Sequence, residues 1–218
     1  MRRLLLALLV AGSACSRQPR RTFRIAILAP VSPRVAGVAR RMGLEITATP
    51  PPGSAEVSAE APIKGGGEVM ADWSGLRFLT ARAVVEGASG VSLRLPPTPG
   101  DQDLLDYPEE WQALARVSRE LLSMRPILED GALEPAPFTV PGGIEVRAWA
   151  YQGRRYVLLV NSSGGPLRLE ESDLAAYRAL YAVRSDPREL LSSCRQGHCL
   201  ASGGVLCLEG RLVPEILP

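Results

Sequence analysis

The sequence predicts an α/β segment followed by an all-β segment, and three observations carry that class. In the first half of the chain, short apolar runs alternate with helical patterns, as in parallel strands joined by helices. From Gly142 onward the spacing of the apolar residues changes from helical to a period of two. Beyond that point the alternating runs are short and divided by Gly-, Asn- and Ser-containing turns, which suits a small antiparallel β-sandwich.

With 218 residues, 46% of them hydrophobic, the chain can bury one good core or two small ones. Its 25 basic and 23 acidic residues are spread along its length, for a net charge of +2. That balance supplies no clustered basic stripe, so nucleic acid is not expected as a partner. Lys64 is the lone lysine; the arginine bias reads as a property of the genome rather than as phosphate chemistry.

Residues 1–14 read as a secretory signal. Arg2-Arg3 is the positive start, residues 4–10 an apolar run, and Gly12-Ser13-Ala14 a small-residue site before Cys15. The run is shorter than the ~20 apolar residues of a membrane span. A cysteine directly after small residues resembles the bacterial lipoprotein box, although Gly12 stands where an aliphatic residue is usual. The resemblance implies that Cys15 becomes a lipidated N-terminus, with residues 15–22 as a polar, basic tether. The chain is then an exported lipoprotein, membrane-anchored in the periplasm or at the cell surface. Ordinary cleavage, giving a soluble secreted protein, is the alternative.

The α/β segment covers residues 23–128. Residues 23–30 (FRIAILAP) suit a buried parallel strand. Ser32 and Pro33 open a helix that runs to about Met42, with Val35, Val38 and Met42 on one stripe and Gly43 as its stop. Residues 45–49 form a second strand. No Gly-rich phosphate loop joins strand to helix, so a dinucleotide fold is disfavoured and no nucleotide partner is expected; no cofactor is expected either. Residues 50–62 (PPPGSAEVSAEAP) offer almost no large apolar side chain and read as a linker or exposed loop. Residues 68–71 form a short strand with Asp72 at its C-terminal end. A buried helix over 76–88, capped by Ser74, and a strand over 91–95 follow. The helix over 108–124 starts with Pro108, Glu109 and Glu110, where its dipole favours negative charge. It buries Trp111, Leu114, Val117, Leu121 and Leu122, and Pro126 is expected to stop it.

Residues 129–218 form the β-sandwich. Strands are expected over 144–151, after a tight turn at Gly153 over 156–160, then over 167–170, 177–183 and 205–208.

Three stretches, taken in order, resemble the C-terminal part of (β/α)₈-barrel glycoside hydrolases. WSGLRFLTARAVVEGASGVSLR (73–94) is similar to the last β/α unit of such barrels, and YPEEWQALARVSRELLSMRPILEDG (107–131) to their closing helix. IEVRAWAYQGRRYVLLVNSSGGPLRLE (144–170) is similar to the β-sandwich that follows. The resemblance implies a partial barrel-like layer before the sandwich and a link to carbohydrate. A full barrel needs eight strands and typically ~250 residues, more than this chain provides.

Sugar hydrolysis requires two carboxyl groups flanking the scissile bond. Asp72 and Glu68 flank a strand in the region similar to the barrel's seventh unit, and Asp72 holds the better position. Against this, Asp72 can simply help to cap the helix and Glu68 can be a solvated strand start. Upstream, Glu45 would lie at the wrong end of its strand. Two readings follow: a non-catalytic envelope module that binds carbohydrate or a protein partner, and an active glycoside hydrolase using Asp72 with a second carboxylate.

Cys194, His198, Cys199 and Cys207 do not have the C-x₂-C spacing of a zinc knuckle, and no metal is expected. In an exported chain Cys194 and Cys199 are expected to form a disulfide around Gln196-Gly197, leaving Cys207 a buried thiol. Trp149 and Trp73 are candidate stacking surfaces for a sugar. By alternation Trp149 either is exposed or faces the α/β part.

Overall fold

A pair of helices is packed between a parallel sheet and an antiparallel sheet. The computed structural model describes residues 22–58, 73–95, 101–179, 198–200 and 202–211. The expected strand over 68–71 lies outside them.

The apolar run near the N-terminus is β1 (Arg24–Leu28), the central strand that its composition predicts. Ser32 then accepts a hydrogen bond at 3.1 Å from the Val35 amide, and with Pro33 it starts α1 (Pro33–Arg41). β2 (Glu45–Thr47), β3 (Ser54–Ser58), α2 (Trp73–Glu86) and β4 (Gly90–Arg94) follow. The four strands form one parallel sheet in the order β2-β1-β4-β3. Alternate residues Ile25, Ile27, Val57, Val91 and Leu93 face the helices and join one core with Val35, Leu76, Val84 and Val117.

The expectation of a linker over 50–62 is corrected within its described part, because Ser54–Ser58 pairs with β4 in parallel register as an edge strand, while residues 59–62 lie outside the described residues. β2 and β3 lie at opposite edges of the sheet, so residues 48–53 carry the chain from one edge to the other. Parallel crossovers are right-handed. The crossovers through α1 and α2 lie on the core face and step across the sheet in one direction. This one steps back, so the same handedness would carry it over the opposite face. Pro51 is accordingly buried, and Ala26 and Ser92, the small residues of that face, are 0% exposed. At its end the strap is tied down: Ser89 donates its amide to Gly53 at 2.9 Å and its hydroxyl to Pro52 at 3.3 Å.

After a 3₁₀ turn at Leu104–Asp106 comes α3 (Pro108–Asp130). It does not stop before Pro126 as expected. A proline here removes one hydrogen bond near the helix end, while Met124 and the following Ile127 are buried in the core. At Gly131 the chain turns so tightly that a Cβ would stand 2.3 Å from the Ile127 carbonyl oxygen, so only glycine fits.

The remaining elements are β5 (Ala132–Glu134), β6 (Ile144–Tyr151), β7 (Arg154–Asn161), β8 (Leu167–Leu169), α4 (Glu171–Leu174), β9 (Tyr177–Ala179), β10 (His198–Leu200) and β11 (Val205–Arg211). Five of the strands form an antiparallel sheet in the order β5-β6-β7-β11-β9, and β8 pairs with β10. Gln152 and Gly153 turn β6 into β7 with φ of 48° and 73°, the two positive values a tight primed turn requires. One face of the large sheet packs Trp149, Leu158, Val160 and Cys207 against the helices. The other buries Ala148, Val157, Leu159, Leu206 and Leu208 with Leu169 of β8 and Leu200 of β10. The expected sandwich is thus a five-stranded antiparallel sheet and a two-stranded ribbon.

Candidate functional site

The C-terminal ends of parallel strands are where β/α proteins place their chemistry. Asp72 and Glu68, the carboxylates expected there, lie outside the described residues. Three described carboxylates near this edge, Asp103, Asp106 and Glu56, are held by neighbours. Asp103 is mostly buried; its Oδ1 accepts from the Leu105 amide at 2.9 Å and its Oδ2 from the Ser32 hydroxyl at 2.8 Å. Asp106 accepts from the Asp103 amide at 2.9 Å and from Arg34 at 3.1 Å. Those two bonds, the amide first, hold the Asp106 carboxyl below its ordinary range. Glu56 receives Arg94 at 2.5 Å. These groups accept hydrogen bonds that fasten the loop to α1 and β3 to β4.

A second region lies on the helix-covered face of the antiparallel sheet, where the helices end. Leu133, Trp149, Tyr156, Glu209 and Arg178 stand in one row across five strands, each opposite the next. One step toward the Gln152-Gly153 turn, Tyr151, Arg154 and Arg211 form a second row on the same face. The alternation of β-strand side chains puts all eight on that face.

Glu209 organises the basic end. Its side chain is 6% exposed and receives Arg154 at 2.6 Å, Arg178, and the Tyr156 hydroxyl at 3.3 Å. Burial pushes its carboxyl up, but the hydrogen bonds from Arg178 and Arg154 outweigh that and hold it below the ordinary range. The Tyr156 phenol is pushed up by burial first and then by the Glu209 charge. The Tyr151 and Tyr156 rings lie 6.5 Å apart, both half-buried.

Leu133 and Trp149 at the other end of the row also line a cleft of about 460 Å³. Phe23, Glu86, Ser89 and Arg147 are among its other walls. That volume is within the range of small-ligand sites, ~300–1,000 Å³. Phe23 is fixed there by its amide, which donates to Glu129 Oε1 at 2.9 Å. Trp149, read by alternation as exposed or facing the α/β part, faces the α/β part. At 3% exposure it supplies a wall of the cleft and no open stacking face. Leu133, 48% exposed, is the apolar surface the cleft offers.

The side chain of Trp73 is outside what the structure describes, as are Cys15 and Cys194, so the Cys194–Cys199 pairing belongs to residues beyond those described. Cys207 is a buried free thiol, as its place in an apolar strand implies. Among the described residues, no three His, Cys, Asp or Glu side chains gather closely enough to hold a metal ion. Sequence reasoning missed Tyr151, Tyr156, Arg154, Arg178, Glu209 and Arg211. The signal that could have found some of them is Tyr-Gln-Gly-Arg (151–154), whose two-residue turn sets Tyr151 opposite Arg154.

No family model matches the chain, and no curated protein matches it. Among solved structures, it is similar to a GH30 endoxylanase from Clostridium papyrosolvens C71, with 9% identity over 63% of this chain and a TM-score of 0.38. A GH27 β-L-arabinopyranosidase from Geobacillus stearothermophilus shares 12% identity over 74% of this chain, with a TM-score of 0.39. A glycoside hydrolase family 30 subfamily 8 xylanase from Clostridium acetobutylicum shares 12% over 87%, with a TM-score of 0.37. The chain covers 38%, 38% and 48% of these three proteins. These structural neighbours are glycoside hydrolases, matched at low identity and over part of their length.

Proposed function

We propose that this chain is an exported, lipid-anchored and non-catalytic glycosidase-like protein of the bacterial cell envelope, which binds carbohydrate. The observation that carries this reading is the closed face of the parallel sheet. In a closed (β/α)₈ barrel the seventh and eighth strands lie beside the first and second; the order β3-β4-β1-β2 is the same arrangement. The face opposite the helices would then be the barrel's inward face. By the usual right-handedness of parallel crossovers the segment over 48–53 crosses that face, which agrees with Ala26 and Ser92 there being 0% exposed.

Glycoside cleavage needs an acid and a base or nucleophile held across the bond. Asp103, Asp106 and Glu56 are instead bonded to Arg34, Arg94, Ser32 and backbone amides. Binding falls to the cleft and the adjoining rows of aromatic and basic side chains.

Purified protein should bind soluble polysaccharide in affinity electrophoresis while turning over neither aryl glycosides nor polysaccharides. Turnover that Asp72→Asn abolishes would replace this reading with that of an active glycoside hydrolase. The anchor is tested separately, by mass spectrometry of the mature N-terminus. An acylated Cys15 is expected; an unmodified start elsewhere in the chain would remove the anchor.

A further inference from the structure

We infer that the saccharide taken by the two side-chain rows is an acidic one, a polymer bearing carboxylate groups. The inference rests on the carbohydrate-binding reading above and names its substrate class. Three guanidinium groups, Arg154, Arg178 and Arg211, share one face at the end of three neighbouring strands. Among the described residues one carboxylate, Glu209, stands with them, so the described side chains of the patch carry an excess of positive charge. Arg154 and Arg178 are 50% and 71% exposed, and Arg211, also exposed, makes no ion pair among the described residues.

Glu209 is placed to orient rather than to neutralise. Its two carboxylate oxygens take one arginine each, which fixes both guanidinium planes from below. Guanidinium groups present five donors and bind carboxylates in forked geometry, so donors remain for an anion arriving from solvent. Strands about 4.8 Å apart hold these charges at a fixed spacing. A buried carboxylate between two arginines is expensive to desolvate and contributes little net stability, whereas it pre-orients both donors before a ligand arrives.

Beside the charges lie the Tyr151 and Tyr156 rings, and beyond them the cleft at Leu133 and Trp149. Tyrosine offers a rigid, amphipathic contact that loses little entropy on binding. Aromatic rings next to a pre-oriented arginine set fit a sugar ring carrying an acid group better than a lipid headgroup, which would use the charge alone.

The experiment is affinity electrophoresis and calorimetry of the chain from Ser16 onward with three probes. These are polygalacturonate, the same polymer fully methyl-esterified, and phosphatidylglycerol vesicles. Binding to polygalacturonate is expected to be at least ten-fold tighter than to the ester and to weaken as salt rises. Arg211→Gln, which breaks no ion pair among the described residues, should weaken it several-fold, as should Arg178→Gln. Arg40→Gln, an exposed arginine of α1, should leave it unchanged. Equal binding to both polymers would overturn the acidic-ligand inference and leave the carbohydrate reading standing. Binding to neither polymer would sink both. Vesicle binding without polymer binding, or an Arg40→Gln loss equal to that of Arg211→Gln, would overturn the assignment of the patch.

Discussion

Arg77 of α2 and Glu120 of α3 meet at 3.0 Å in the interior, with the arginine side chain 3% exposed and the glutamate 16%. The pair lies beneath the antiparallel sheet, close enough to Cys207 for both charges to act on its thiol. It joins the two helices that hold the sheets together.

Breaking such a pair is costlier than replacing it, because removal of one partner leaves a desolvated charge. Glu120→Leu should therefore destabilise the protein by about 3–5 kcal/mol. Arg77→Met with Glu120→Leu should recover most of that loss. Urea unfolding of the single and double variants measures both. A double variant as unstable as the single one would show that the two residues act independently.

The Cys207 thiol is fully buried, and burial pushes its pKa up to about 12. A thiol reacts as its thiolate, so alkylation of Cys207 by iodoacetamide at pH 8 should be negligible in the folded protein and rapid in denaturant. Peptide mass spectrometry locates the label. Ready labelling of Cys207 without denaturant would mean that the sheet and helices separate easily.

Arg147 of β6 donates to the Val85 carbonyl at 3.0 Å, satisfying the C-terminal end of α2. Gly87, with φ of +100°, gives it room: a Cβ there would stand 2.6 Å from Arg147 Nη1. Gly87→Ala should thus both strain the backbone and displace the guanidinium, at a cost of about 1–3 kcal/mol. In an Arg147→Ala background the same change should cost less, since the contact is already gone. Strictly additive losses in thermal unfolding would contradict this coupling.

Much of this arrangement is legible in the residues, and the missing parts have physical reasons. β1, α1 and β4 follow from an apolar run, a Ser-Pro cap and a strict alternation, all of which are local. β3 was hidden because Ser54–Ser58 contributes only Ala55 and Val57 to the core face, and its pairing with β4 is a long-range fact. α3 passes Pro126 because tertiary burial of Ile127 outweighs one lost backbone bond. The rows were hidden more deeply. Tyr151 and Arg154 could be paired through their turn, but Glu209, Arg178 and Arg211 join them only through the register of β11. A one-residue slip would turn each of them to the other face.

Two carboxyl groups give the stability of this protein opposite slopes in separate pH windows. Glu120 is pushed up from 4.5 to about 7, chiefly by burial, which outweighs the opposing pull of Arg77. Because its folded pKa lies above the unfolded one, the folded state holds more protons between the two values. Its contribution is fully present below pH 4.5 and is lost as pH rises through 7. At 1.36 kcal/mol per unit, that loss is about 3 kcal/mol at most. Glu209 has the opposite sign: its folded pKa is depressed, so its contribution is present above the unfolded value and disappears as the pH falls. Stability should therefore be greatest in mildly acidic solution and decline on either side. Glu120→Gln should flatten the decline between pH 4.5 and 7, because glutamine occupies the same site without titrating. Glu209→Gln should remove part of the decline on the acid side and leave the neutral limb intact. Urea midpoints measured from pH 3 to 8, on the order of one unit apart, separate the two. If Glu120→Gln keeps the full neutral-side slope, the titrating group lies elsewhere and Glu120 is ionised throughout.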